Sequence, residues 1–554
     1  MIRNPVLPGF HPDPSIIRVG SEYLIATSTF EWLPAVRLSS STDLRHWELV
    51  GHVLAGGQAP DLRGVHPSGG VWAPSLSHDP VTGLFHVVHS VMRNQTGEQF
   101  DVSNWLVTAP DVRGPWSDPV YLNSVGFDAS LFHDDDGRKW LVTLEWDPRE
   151  GYEHPGAVVL EEYDPSARAL VGPARRISRG ATDRGCLEAP NLYRHDGWYH
   201  LMTAEGGTGF GHCVALSRSR SIEGPYEPSP HGPVLTSHPA RFSGRDDRDF
   251  LKPHLSVPGA PLHKAGHGSL VETPDGDWYV AHLSSRPLPG TTRSVLGRET
   301  SLQQVRWTAD GWLELAAGGM LAGATTPAPG GAADPAGTPR PLTVHTDFDA
   351  PELPAELSTL RVPAGPDWAD LAARPGHLRL HGRDSLFSRF DVSLVAARLQ
   401  AFTATATTTL DFEPAHFSHA AGLTVFYDDA NWLYLRVYLS ESLGARAVGV
   451  LEADQGRRRE HVLSRVALPD GPVVLRADID SGTVQFSWHA PGDPLTPIGP
   501  LLDCSRLADE VVRGFTGTMV GLTCQDAFRR TARADFDHFR LEHPRVGLDD
   551  RALS

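Results

Sequence analysis

A short pattern recurs five times before residue 290, and it restricts the architecture of this 554-residue chain more than any other feature. The copies read DPSIIRVGSEYLIATST, APSLSHDPVTGLFHVVHS, DASLFHDDDGRKWLVTLEW, APNLYRHDGWYHLMTAE and HGSLVETPDGDWYVAHLSS. Each has a small or Pro/Ser step, an aliphatic residue, a glycine, an aromatic and then an alternating apolar run. The glycines are Gly20, Gly83, Gly137, Gly197 and Gly276, and the aromatics are Tyr23, Phe85, Trp140, Tyr199 and Tyr279. Such a copy predicts two short strands around a tight turn, because the side chains of a strand alternate between faces and glycine accepts a left-handed turn conformation. A weaker second pattern follows several copies, in STDLRHW, APDVRGPW and SRSIEGPY, and predicts an outer hairpin of the same unit. Units of about four strands, roughly 60 residues apart, fit a five-bladed β-propeller, inside the usual range of about four to eight blades. A solenoid fits less well, since the repeats hold no helical pattern and are unevenly spaced.

The repeat ends near residue 315. Residues 316–342 are rich in Ala, Gly, Pro and Thr and lack periodicity, so they are expected to form a linker. Beyond it, residues 343–554 contain strand-like runs such as LTVFYDDANWLYLRVYL and TVQFSWHA without the glycine–aromatic repeat, which predicts a β-sandwich. The fold class is therefore all-β, with a propeller over residues 1–315 followed by a sandwich.

Charge excludes some partners. With 49 Lys plus Arg against 67 Asp plus Glu, the formal net charge is −18, which disfavours nucleic acid and anionic membrane surfaces. No apolar run approaches the ~20 residues of a membrane-spanning helix. The start, MIRNPVLPGFHPDPS, has no apolar core of a signal peptide, so the expected location is the cytoplasm. Four cysteines (Cys186, Cys213, Cys504 and Cys524) form neither a disulfide framework nor a zinc pattern. Both a monomer and a homo-oligomer are compatible with the sequence.

In a propeller the first strand of every blade lines the central channel, so residues at its start converge. Those starts carry Asp13, Trp72 with Ala73, Asp128, Glu188 and His267. Taking the small residue before the aliphatic as the register, Asp13, Asp128 and His267 are equivalent, and Glu188 is equivalent to Trp72, one residue earlier. A lone Asp at a strand start is usually a turn residue, and the HDDDG run at 133–137 reads as a solvated hairpin tip. Three carboxyls at one channel mouth mean more. Crowded buried carboxyls cannot all ionise cheaply, so their proton affinities separate, as acid–base hydrolysis requires. No HExxH or G-x-S-x-G motif is present, and the glycine cluster GGTGFGH does not open a helix after a strand as a dinucleotide loop would.

With these residues in view, the chain resembles glycoside hydrolase family 43, in its two-domain β-xylosidase branch. NPVLPGFHPDPSI, VWAPSLS, GFDASLFHDDDGRKWLV, LEAPNLY, AEGGTGFGH, KAGHGSLVE, LGRETSLQ and TGTMVGLTCQD carry the resemblance over nearly the whole chain. Two motifs depart from the family pattern, HPDPS for NPDPS and LEAPNLY for TEGPHLY, and both keep the carboxyl. The resemblance implies an inverting glycosidase with Asp13 as general base, Glu188 as general acid and Asp128 tuning and orienting the acid. It also implies a concanavalin-like jelly roll as the second domain. Phe30 and Trp72 offer apolar faces to a sugar ring, Arg298 matches an arginine that bonds sugar hydroxyls, and Phe515 matches an aromatic with which the sandwich closes the pocket. His267 matches an axial histidine associated with calcium or water; no cofactor is required, and a calcium ion held directly or through water is compatible. The implied activity is exo-release of D-xylose from short β-1,4-xylo-oligosaccharides. The alternatives are an α-L-arabinofuranosidase or bifunctional enzyme and, outside enzymes, a carbohydrate-binding propeller.

Overall fold

The computed structural model describes residues 1–152, 156–247, 249–331 and 342–543. Five antiparallel sheets follow one another along the chain. Their innermost strands are Ser15–Val19, Gly70–His78, Ser130–His133, Glu188–His195 and His263–Glu272. Each pairs with a second strand across the expected glycine turn: Glu22–Thr27, Phe85–Asn94, Lys139–Glu145, Trp198–Glu205 and Trp278–Ser285. All five turn glycines have positive φ, between 61° and 88°, a conformation that a β-carbon disfavours. The five repeat aromatics, from Tyr279 at 0% to Tyr199 at 9% exposed, are buried between blades. Glycine makes each turn and the aromatic fills each seam, which is why the two recur together.

The ring closes through the N-terminus. Ile2–Arg3 pairs antiparallel with Thr325–Thr326, while Asn4 exchanges two 2.8 Å hydrogen bonds with the backbone of Leu302 in the fifth blade. Of the stretch expected as a linker, residues 316–331 thus run along the propeller, and residues 332–341 lie outside the described residues. One local reading is corrected. Within HDDDG, Asp135 and Asp136 are exposed, but Asp134 is buried and accepts a 2.9 Å hydrogen bond from the Tyr199 hydroxyl of the next blade.

The second domain is a sandwich of two sheets. One is half-buried, as the alternating burial along Thr403–Asp411 shows. In the other, Asn431–Ser440 is buried at nine of ten positions, because this sheet meets the sandwich core on one face and the propeller on the other. That double burial explains why WLYLRVYL is apolar on both faces except at Arg436 instead of alternating. The sheet extends into the propeller itself: Trp32 and Leu33 pair with Leu360 and Thr359 at its edge, and Trp32 meets Phe426 edge-on at 5.9 Å. The two domains therefore share a hydrophobic core. Among the described residues no helix is long and apolar enough to cross a membrane.

Candidate active site

One residue per blade stands in the left-handed region at the mouth of the channel. Asp13, Ala73, Asp128, Ala189 and His267 have φ of 55°, 38°, 55°, 50° and 50°. For residues with a β-carbon such a conformation costs on the order of 1–3 kcal/mol, and it persists where the surroundings impose it. Register shifts at Trp72/Ser75, Glu188/Asn191 and Gly266/Gly268 show that three of these kinks are bulges, devices that re-aim side chains. The positions are those equated from the repeat, with Glu188 and Trp72 one step earlier.

The side chains meet in a cavity of about 530 Å³. Asp13 is anchored: Oδ2 accepts a 2.6 Å hydrogen bond from Ser28 Oγ, and Oδ1 lies 3.4 Å from His267 Nδ1. Ser28 is itself fixed by the Ala73 N–H at 2.7 Å. Asp128 is anchored too, its Oδ2 accepting the Ala189 N–H at 3.0 Å. By contrast, the Glu188 carboxyl has no hydrogen-bond partner among the described residues. It faces the cavity ready to engage a ligand.

Burial dominates the proton affinities here. It pushes Glu188 up to about 7, helped by the negative charge of Asp13 and opposed by Arg298 and Lys252. Asp128 is also pushed up to about 7 by burial, with Glu188 and Asp13 as repelling neighbours and His267 opposing. Asp128 is thus not a plain ionised neighbour of Glu188; near neutrality the two carboxyls compete for protons. This has a stability signature. Between about pH 4.5 and 7 the folded state holds a proton on Glu188 that the unfolded chain releases, so stability contributed by this group falls as pH rises through that window. The neutral isostere in Glu188→Gln removes that slope. Its melting temperature should match wild type near pH 4.5 and exceed it by a few degrees near pH 8, as thermal scans across pH would show.

Aromatic walls complete the cavity. Phe30, Trp72 and Phe515 come together, with Phe515 at 6.4 Å from Phe30 and 6.1 Å from Trp72. Ser68 joins the domains: its carbonyl accepts the Trp72 indole N–H at 2.8 Å and its hydroxyl accepts the Phe515 N–H at 2.8 Å. Arg298, 3% exposed, sits with its guanidinium 4.7 Å from the Phe515 ring centroid. All eight residues singled out in the sequence line this one cavity. Further lining residues lie outside that set. Thr208 accepts a 2.6 Å hydrogen bond from Arg298 and belongs to the glycine cluster that fits no dinucleotide loop. Phe127 precedes Asp128 and meets Trp72 edge-on at 5.5 Å. Phe250 and Arg513 also line the cavity and carry no motif signal.

His267 lines both this cavity and a small axial cleft beneath it. Among the described residues no cluster of three or more His, Cys, Asp or Glu could hold a metal ion. The cleft offers one carboxylate, Asp128, beside Ser75 and Asn191, and Asp13 lies 3.4 Å from the imidazole Nδ1. Calcium takes about six to eight oxygen ligands, and an imidazole is a poor partner for so hard an ion. These residues do not fit the metal as a dedicated protein site, and no chemical step is derived through it.

A cavity at a propeller mouth where three blade-start carboxyls meet Arg298 and aromatic walls is the equipment of a carbohydrate-cleaving enzyme. Comparison with known proteins agrees: residues 2–313 match glycosyl hydrolases family 43, and residues 345–542 match the β-xylosidase C-terminal concanavalin A-like domain. The chain belongs to glycosyl hydrolase family 43 and is a glycosidase. It is 41% identical to xylosidase/arabinosidase 43B of Humicola insolens, covering 98% of each chain. It is 38% identical to a β-xylosidase of Bacillus subtilis, over 98% of this chain and 99% of the other. The crystal structure of a xylan β-1,4-xylosidase from Bacillus halodurans superposes with a TM-score of 0.90 at 43% identity, covering 98% of this chain and all of that one.

Proposed function

We propose that this glycosidase releases D-xylose from the non-reducing end of short β-1,4-xylo-oligosaccharides with inversion at the anomeric carbon. One contrast carries the reading: of the three carboxyls at the blade starts, Asp13 and Asp128 are held by hydrogen bonds, whereas Glu188 has no hydrogen-bond partner among the described residues and is raised by burial to about 7. An inverting hydrolase needs that division. Asp13 takes a proton from water as its oxygen attacks the anomeric carbon, and Glu188 gives its proton to the departing glycosidic oxygen as that bond breaks. Afterwards Asp13 is protonated and Glu188 ionised, and exchange with solvent restores both. Asp128, bonded to the N–H of the residue after Glu188, orients the acid and competes for its proton. A cavity lined by residues of both domains suits one or two sugars, which supports exo-action on short chains.

The Humicola insolens relative is named a xylosidase/arabinosidase, and this favours α-L-arabinofuranosidase as a second activity. A panel of aryl β-xyloside, aryl α-arabinofuranoside and xylobiose tests the assignment. Xylobiose and the aryl xyloside should turn over with higher kcat/KM than the arabinofuranoside; turnover of the arabinofuranoside alone would overturn the assignment. Phe515→Ala should raise KM for xylobiose more than it lowers kcat, because an aromatic wall contributes about equally to ground and transition states. Steady-state kinetics on the two enzymes would check it.

A further inference from the structure

We infer that Asp509, a residue of the sandwich, is a positioning residue for Arg298 and sets how strongly the propeller's pocket holds one sugar hydroxyl. This rests on the glycosidase reading above and adds a partner to it from the other domain.

Arg298 does not hold itself in place. Its Nη1 donates to Thr208 Oγ1 at 2.6 Å and its Nε to Asp509 Oδ2 at 3.1 Å, while Nη2, also buried, has no partner among the described residues. A planar guanidinium fixed at two of its nitrogens has one direction left for the third. With the guanidinium forming part of the cavity wall, that third nitrogen is the donor available to a ligand.

Asp509 is well placed to fix it. Fully buried, it accepts the Tyr427 hydroxyl at 2.9 Å on Oδ1 and Lys264 Nζ at 2.9 Å on Oδ2. Lys264 also reaches Glu510 Oε1 at 2.6 Å, and Glu510 in turn accepts the N–H and hydroxyl of Ser294. Two cations of the propeller are thereby balanced by two carboxylates of the sandwich, away from water. Such a cluster tolerates little rearrangement, because loss of one partner strands a buried charge. Six residues further on, Phe515 packs 4.7 Å from the same guanidinium. The approach leaves no slack: a β-carbon on Gly297 would stand 2.5 Å from the Thr516 carbonyl oxygen. One sandwich segment thus grips Arg298 by charge and by its ring. A glycosidase whose pocket ended at the propeller would need neither Asp509 nor this packing.

The test compares an aryl β-xyloside with its 2-, 3- and 4-deoxy analogues in wild type, Arg298→Ala, Asp509→Asn and Tyr427→Phe. Arg298→Ala identifies the hydroxyl its guanidinium contacts, as the one whose removal no longer reduces kcat/KM. Asp509→Asn keeps the side-chain shape and should shrink the preference for that same hydroxyl by about 10- to 100-fold, leaving the preferences at the other two unchanged. Tyr427→Phe, which keeps every charge, should shift the same preference by a smaller factor. The double variant Arg298→Ala/Asp509→Asn should lose no more discrimination than Arg298→Ala alone. A uniform loss across all four substrates in folded Asp509→Asn, or no loss at all, overturns the inference. If Asp509→Asn fails to fold, an unchanged hydroxyl preference in Tyr427→Phe overturns it. Should wild type act on the arabinofuranoside and ignore the xyloside, the sugar assignment fails by itself, and the deoxy series of that sugar decides the role of Asp509.

Discussion

Asp13→Asn should abolish turnover while leaving the protein folded. Asn occupies the left-handed region more readily than Ala does, so it suits the φ of 55° at this position better than Ala. Its carbonyl oxygen can still accept the Ser28 hydroxyl that holds Asp13. What it cannot do is take a proton from water. Positioned general bases contribute about 10²- to 10⁴-fold, so kcat on xylobiose should fall by at least about 10²-fold with an unchanged melting temperature. Asp13→Ala should be as inactive, with a small added loss of stability from the left-handed backbone. A folded Asp13→Asn retaining near-wild-type activity would remove Asp13 from the role of base.

Glu188→Ala should separate substrates by their leaving groups. Xylobiose departs as a sugar alkoxide and needs a proton in the transition state, so its kcat should drop by about 10³-fold. A xyloside with an acidic dinitrophenol leaves without that help and should lose far less. In wild type, kcat on xylobiose should fall as pH rises past the region near 7 to which burial raises Glu188, and that basic limb should vanish in the variant. Equal losses on both substrates would reassign Glu188 to a structural or binding role.

Much of this architecture is legible in the sequence because a propeller repeats itself. Every blade must make the same turn and fill the same seam, so Gly20 and Tyr23 recur as Gly276 and Tyr279. The repeat also sets the register, and from the register follows that Asp13, Asp128 and His267 occupy equivalent left-handed positions. Residues whose partners lie across the fold are less legible. Asp134 looks like a solvated turn in HDDDG, yet a tyrosine of the next blade reaches over and bonds it. Thr208 sits in a glycine cluster whose purpose is invisible until Arg298, ninety residues away, donates to it. The pairing of Trp32–Leu33 with a sandwich strand more than 300 residues distant leaves no local trace either. Repetition is written in sequence at short range; contacts between domains are written only in three dimensions.

The central claim is that Asp13 and Glu188 act as base and acid in a single displacement on a β-xyloside. Proton NMR of xylobiose hydrolysis, recorded within the first turnovers and before mutarotation, reads it directly. The non-reducing unit should appear first as α-xylose, because water attacks the face opposite the departing oxygen. First appearance as β-xylose would require a covalent intermediate on one of these carboxyls and would contradict the account.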